Sequence, residues 1–221
     1  MRHGEKPLVV CRKLGGAVVC RRHACYLRAM SYFIVSHSAA LALLAHIPNP
    51  RFGDSESEVV SIADACALSD QEAQEFIDRY DLGIGVLDLM VPTRAGRRRT
   101  KHVATHLCSN ELPVGSFISL GHWRGELDAY VCSPELAYLQ AAHDGDAAEA
   151  IYAGYAMTSD YRLDNLVPGG VTSRDKGMRD GRLTTKELIA AYLGRASKVR
   201  GAAKAKALLS YVKEGSRSPR E

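Results

Sequence analysis

The chain has 221 residues, 46% of them apolar and 24% charged, with a net charge of +4; this balance excludes a wholly disordered chain and fits one or two globular domains. Its longest nearly apolar run, Ala39 to Ile47, is far short of the roughly 20 residues that span a bilayer, and Arg12 and Lys13 interrupt the only candidate signal-peptide core, so a cytoplasmic protein with no membrane partner is expected. Six cysteines without a CxxC pair read as free thiols in a reducing compartment.

The net charge conceals three blocks, +6 over residues 1–29, −10 over 30–170 and +8 over 171–221. Basic ends on an acidic middle point to nucleic acid or to an acidic partner, although solvated helix faces account for the same letters. The first 29 residues show no clear helical or strand period, and Met30 follows as a second possible start; they are expected to be an upstream extension of the reading frame. A metal site from Cys11, Cys20, His23 and Cys25 is the competing reading, but their spacing matches none of the usual zinc patterns.

From Met30 the text reads as a compact domain. Tyr32 to Val35 predicts a strand and Ser36 or Ser38 caps a helix to about His46, before Pro48-Asn49-Pro50 turns the chain and Arg51 to Glu58 forms a loop. Asp64 to Tyr80 predicts a helix with Ala65, Leu68, Ala73, Phe76 and Ile77 on its apolar face, ended by Gly83 and Gly85. Strands are predicted at Val86 to Val91, His102 to Cys108, Ser116 to Leu120 and Leu127 to Cys132, giving a small mixed sheet with flanking helices, an α/β (α+β) fold.

Ser133-Pro134-Glu135 starts a helix with a cap, a preset proline and a favourable acid, and a second helix runs from Asp146 to about Ala156. Pro168-Gly169-Gly170 then marks a domain edge. Beyond it, Thr184-Thr185-Lys186-Glu187 has capping-box form, and Val199, Ala202, Ala205, Leu209 and Val212 predict a basic helix to about Lys213, closed by Gly215. The final Ser218-Pro219-Arg220-Glu221 is again a capping box, as at the start of a further domain.

The order of FIVSHSAALALL, LDLMVPTRAGRRR, DAYVCSPELAYLQAA, LTTKELIAAYL and KVRGAAKAKALLSYVKEGSRSPRE resembles the AbiEi-type antitoxin-like proteins of bacteria, over Met30 to Glu221. The resemblance implies a toxin–antitoxin or phage-defence setting with a cognate toxin as partner. Many such actinobacterial chains continue into a Vsr-like PD-(D/E)xK endonuclease domain, whose first helix opens with a motif similar to Ser218 to Glu221, with Glu221 at the position of its first acidic residue. By this likeness 30–170 is the AbiEi-like α/β domain, 171–217 a basic helical segment and 218–221 the threshold of a missing domain. The family's winged helix-turn-helix has no counterpart before Ser31, and the rest of the nuclease metal site has none in the chain, so a single carboxylate cannot assemble metal-assisted hydrolysis.

No catalytic residue, metal ligand or cofactor is therefore expected. Arg94, Arg97, Arg98, Arg99 and Lys101 put five cations in one loop between strands, where long side chains meet phosphates without reading bases; Lys198, Arg200 and Lys204 add to them from the C-terminal helices. A solvated turn keeping a sheet edge soluble explains the loop equally well. His102 and His106 share a strand face and could join Cys108, His122 or Cys132 around a metal, but their spacing is not diagnostic and exposed histidines with buried thiols give the same pattern. His37 lacks the elbow motif that a nucleophile partner would need. The Gly83/Gly85 and Gly169/Gly170 pairs lack the phosphate-binding fingerprints and read as turns. Trp123, in the turn Gly121 to Gly125, is expected to pack on the sheet, with base stacking as the alternative.

Three functions follow from these expectations. The first is a non-enzymatic AbiEi-antitoxin-like protein that contacts nucleic acid. The second is the N-terminal part of a Vsr-like endonuclease that binds without cutting, and the third is a module whose basic tail holds an acidic protein.

Overall fold

The computed structural model describes residues 12–14, 17–19, 32–46, 60–125, 127–163, 171–173 and 182–215. The expected Pro48–Pro50 turn, the 51–58 loop, the Cys11, Cys20, His23 and Cys25 set, the Pro168–Gly170 break and the capping box at 218–221 lie outside the described residues. Within the N-terminal 29 residues an antiparallel hairpin forms from β1 (Arg12–Leu14) and β2 (Ala17–Val19), local order that the irregular letters there do not predict.

A five-stranded mixed sheet organises the protein, in the order β5-β4-β3-β7-β6. Its members are β3 (Tyr32–Val35), β4 (Leu87–Val91), β5 (Val103–Leu107), β6 (Phe117–Arg124) and β7 (Leu127–Cys132). The central β3 runs parallel to β7 and antiparallel to β4, while β4 and β5 are parallel. Phe33, Ile34 and Val35 are completely buried, as the middle strand of a sheet covered on both faces must be.

Successive side chains on a strand point to opposite faces, so Phe33 and Ile34 divide the core into two layers. On the first, α2 (Asp70–Arg79) presents Phe76 edge-on to Phe33 at 5.3 Å, and Trp123 completes the cluster 4.9 Å from Phe76. On the second lie α1 (His37–His46) and α3 (Pro134–Asp144), with the Gln140 amide reaching Met90 Sδ and Cys132 Sγ. The α3 helix is buried on nearly every side, which explains why its sequence shows no narrow apolar stripe.

Three further helices pack around α3: α4 (Ala147–Thr158), α5 (Lys186–Arg195) and α6 (Ala202–Leu209). Ile189, Tyr192, Ala205, Leu209 and Val212 belong to the same buried cluster as the sheet residues. The Tyr138 hydroxyl donates to the Ala205 carbonyl at 3.2 Å, and Arg182 ties Asp160 at 2.7 Å to Glu214 at 3.3 Å. A short hairpin, β8 (Tyr161–Leu163) with β9 (Val171–Ser173), was not predicted.

Several predicted elements shift. Ser69 and Glu72 form a reciprocal capping box that starts α2 at Asp70 and not Asp64. The residues before it are held otherwise, since the Cys66 N–H donates to the Tyr32 carbonyl at 2.8 Å. The α5 cap is Thr185, one residue later than the capping-box reading, because the buried Thr184 hydroxyl is spent on Glu135. Trp123 sits within β6, not in a turn; a register shift beside Gly121, at φ +80°, lets the strand continue through it. The last helix ends at Leu209, short of Lys213, although Val212 stays buried. Among the described residues no helix is long and apolar enough to cross a membrane.

Candidate functional site

Because β4 and β5 are parallel, the chain leaving Val91 must travel back along the sheet before Val103 can begin. The cationic segment makes that return. Arg94–Gly96 forms one 3-10 turn, and the following residues lie antiparallel against β5, with Arg99 bridging Ala104. The Thr105 N–H donates to the Arg98 carbonyl at 2.9 Å, its hydroxyl accepts from the Arg98 N–H at 2.5 Å, and the Thr100 N–H donates to the Val103 carbonyl at 2.8 Å. Asp70 fastens the far end by accepting the Thr100 hydroxyl and the His102 N–H, which hold its carboxyl below the usual carboxylate range.

All five loop cations are exposed, but they are not equivalent. The Arg98 guanidinium donates to the Leu68 carbonyl and so pins the loop to the approach of α2. Arg94, Arg97, Arg99 and Lys101 form no ion pair among the described residues and point their charge to solvent from an ordered backbone. Of the C-terminal group, Lys198 and Arg200 are exposed in the α5–α6 connection, whereas Lys204 donates to the Gly145 carbonyl at 2.8 Å and caps the end of α3.

A second constellation lies where the sequence suggested nothing joined. His37 opens α1 with φ +50°, a left-handed conformation uncommon outside glycine. Its N–H donates to Gln140 Oε1 at 2.9 Å, its Nδ1 meets Ser36 Oγ at 2.9 Å, and its Nε2 lies 3.1 Å from Asp144 Oδ2 at the end of α3. The His106 ring, from β5, stacks on it with centroids 3.6 Å apart. His106 Nε2 is in turn 2.8 Å from Asp88 Oδ1, and the other Asp88 oxygen accepts the Ser38 hydroxyl and the Ala39 N–H at the start of α1.

Burial first, and then the neighbouring His106 ring, hold the His37 imidazole down at about 4, against the opposite pull of Asp144 and Asp88. Burial pushes Asp88 upward, but hydrogen bonds from His106 and Ser38 outweigh it and keep the carboxyl below its ordinary value. The cluster closes one end of a cavity of about 820 Å³ whose remaining wall is largely apolar, from Leu41 and Ala45 on α1 to Ala153 and Met157 on α4. Donors of this kind can orient a polar ligand group, exchange a proton or hold a cation.

The imagined grouping of His102 and His106 with Cys108, His122 or Cys132 is not assembled. His102 Nδ1 meets the Gly85 carbonyl, His122 pairs with Asp128, and Cys132 is fully buried beside Met90 with its thiol pushed far up by burial. Asp88 and Asp144 were missed; the one available signal was an aspartate inside the apolar LDLMV run. Trp123 is core, enclosed by Phe33, Phe76 and Tyr80 with Arg79 over its ring, and is withdrawn from base stacking. Compared with protein-family models, curated proteins and solved structures, the chain matches none.

Proposed function

We propose that the chain is an AbiEi-antitoxin-like protein of a toxin–antitoxin or phage-defence system that binds nucleic acid through its phosphates and does not cut it. The observation that carries this reading is the return loop, which holds Arg94, Arg97, Arg99 and Lys101 exposed and without an ion pair among the described residues, while Arg98 fixes the backbone. Cations on a backbone already fastened to β5 and α2 lose less freedom on meeting phosphates than cations on a free tail. Lys198 and Arg200 supply further phosphate contacts, and Lys204 contributes through the fold it closes. Phosphate contacts position a protein on nucleic acid without reading sequence, so the affinity is non-specific and salt-sensitive.

The test is a four-residue variant, Arg94→Ala, Arg97→Ala, Arg99→Ala and Lys101→Ala, with Arg98 kept. Binding to labelled duplex DNA at low salt falls at least tenfold and equally across unrelated sequences, with unchanged far-ultraviolet dichroism. Unchanged affinity removes the loop from the interface and turns the search to a protein partner, the cognate toxin first.

A further inference from the structure

We infer that the cavity between α1 and α4 is a binding site for a small organic cation, an amine with an apolar body whose ammonium group meets Asp144. Its volume of about 820 Å³ lies within the range of small-molecule sites, on the order of 300–1,000 Å³. Much of the wall is apolar: Leu41 and Ala45 from α1 and Ala153 and Met157 from α4 offer a guest no hydrogen bond. The charged groups that line it are acids, Asp88, Asp144 and Glu149, and no lysine or arginine joins them among the described residues. Such a lining repels anions and gives a neutral guest no charge to set against the carboxylates, whereas a cation with a hydrocarbon or aromatic body suits both parts of the wall.

The histidine cluster gives the acids different parts. Both Asp88 oxygens are taken, one by His106 Nε2 and the other by the Ser38 hydroxyl and the Ala39 N–H. At most His106 balances Asp88, so the charge of Asp144 and Glu149 is left over. His37 does not cancel it, because its imidazole, held down at about 4, is neutral at pH 7 and carries a single N–H. Its Nε2 faces the Asp144 carboxylate, which can only accept, at 3.1 Å; the proton therefore sits on Nε2, and the Ser36 hydroxyl donates to Nδ1 at 2.9 Å. That bond orients Asp144 without neutralising it. His143 Nε2 stands farther off at 3.9 Å, and the Lys204 ammonium is spent on the Gly145 carbonyl. Tyr152, one turn beyond Glu149 on α4 and 55% exposed, adds an aromatic face of the kind that attracts ammonium groups. Binding leaves the stacked His37 and His106 rings and their hydrogen bonds in place. None of the loop cations takes part, so amine binding is independent of nucleic-acid binding.

The experiment titrates the full chain at pH 7, by calorimetry, with three guests that share an indole ring: tryptamine as cation, tryptophol as neutral alcohol and indole-3-acetate as anion. Tryptamine binds at one site per chain and at least about tenfold more tightly than tryptophol, as one charge-assisted hydrogen bond predicts, and indole-3-acetate does not bind. Asp144→Asn, at a half-exposed position, retains the wild-type dichroism, abolishes the preference for tryptamine and leaves tryptophol affinity unchanged. Tyr152→Ala weakens tryptamine by about three- to tenfold. Absence of tryptamine binding at millimolar concentration overturns the site. Equal or tighter binding of tryptophol or indole-3-acetate overturns the assignment to a cation, and a preference for tryptamine that survives Asp144→Asn overturns the seat of the ammonium group on Asp144.

Discussion

Asp88 and His106 meet at 2.8 Å across the parallel pair β4–β5, and the same carboxylate receives Ser38 and Ala39 at the start of α1. One partly buried acid thus joins two strands and a helix N-terminus, where its charge also complements the helix dipole. Asp88→Asn keeps the shape and removes the charge. Hydrogen bonds to charged groups contribute about 1.5–3 kcal/mol each, so the variant loses stability on the order of 2 kcal/mol in urea denaturation. A loss within the error of the measurement contradicts this joining role.

Arg98 and its neighbours should separate cleanly. The Arg98 guanidinium holds the Leu68 carbonyl, so Arg98→Ala releases the loop and lowers stability by about 1 kcal/mol. Arg97→Ala and Arg99→Ala, at exposed positions without an ion pair among the described residues, leave thermal stability within about 0.5 kcal/mol and weaken only nucleic-acid binding. Parallel melting and binding curves for the three variants distinguish the roles.

Gly154, in the middle of α4, faces Val212, just beyond α6. A Cβ there would lie 2.5 Å from Val212 Cγ2 and 3.1 Å from the Tyr138 ring. Alanine improves helix propensity by about 1 kcal/mol, but overpacking costs about 1–3 kcal/mol and prevails because both neighbours are fully enclosed. Gly154→Ala is therefore destabilising by chemical denaturation. Neutral or greater stability would mean that α4 does not dock against Val212 as described.

Tyr138 gives the fold an alkaline limit. Burial pushes its hydroxyl from 10.0 up to about 12, so the folded state stays neutral after the unfolded state has ionised. The stabilising contribution is complete below pH 10 and declines by roughly 1.4 kcal/mol per pH unit until the folded value is reached. Tyr138→Phe loses about 1 kcal/mol at neutral pH with its hydrogen bond to Ala205, and its stability falls less steeply between pH 10 and 12. Equal alkaline slopes for the two proteins contradict the assignment.

What the letters revealed was local. Ser133, Pro134 and Glu135 announce α3, and the helix expected from Asp146 forms as α4 with Asp146 as its cap, because a cap and its partners lie within one turn. The Ser69–Glu72 box was equally local and was masked by the apolar Ala65 and Leu68, which pack without being helical. Thr184 had a distant rival partner in Glu135. The His37, Asp88, His106 and Asp144 constellation had no local signature: its members come from α1, β4, β5 and α3 and meet only after the sheet order is set. For the cationic loop, the sequence displayed the charge but not the division between Arg98, which fastens, and the four cations that make no ion pair among the described residues.

The most direct test of phosphate binding is the affinity of the full chain for duplex DNA across a salt series, with a divalent-metal cleavage assay in the same tubes. Each neutralised phosphate contributes about −0.9 to the slope of log K against log salt. A slope of about −3.6 is expected from Arg94, Arg97, Arg99 and Lys101 together, steeper where Lys198 and Arg200 also meet phosphates, with intact DNA throughout. No binding at low salt, or binding indifferent to salt, contradicts it.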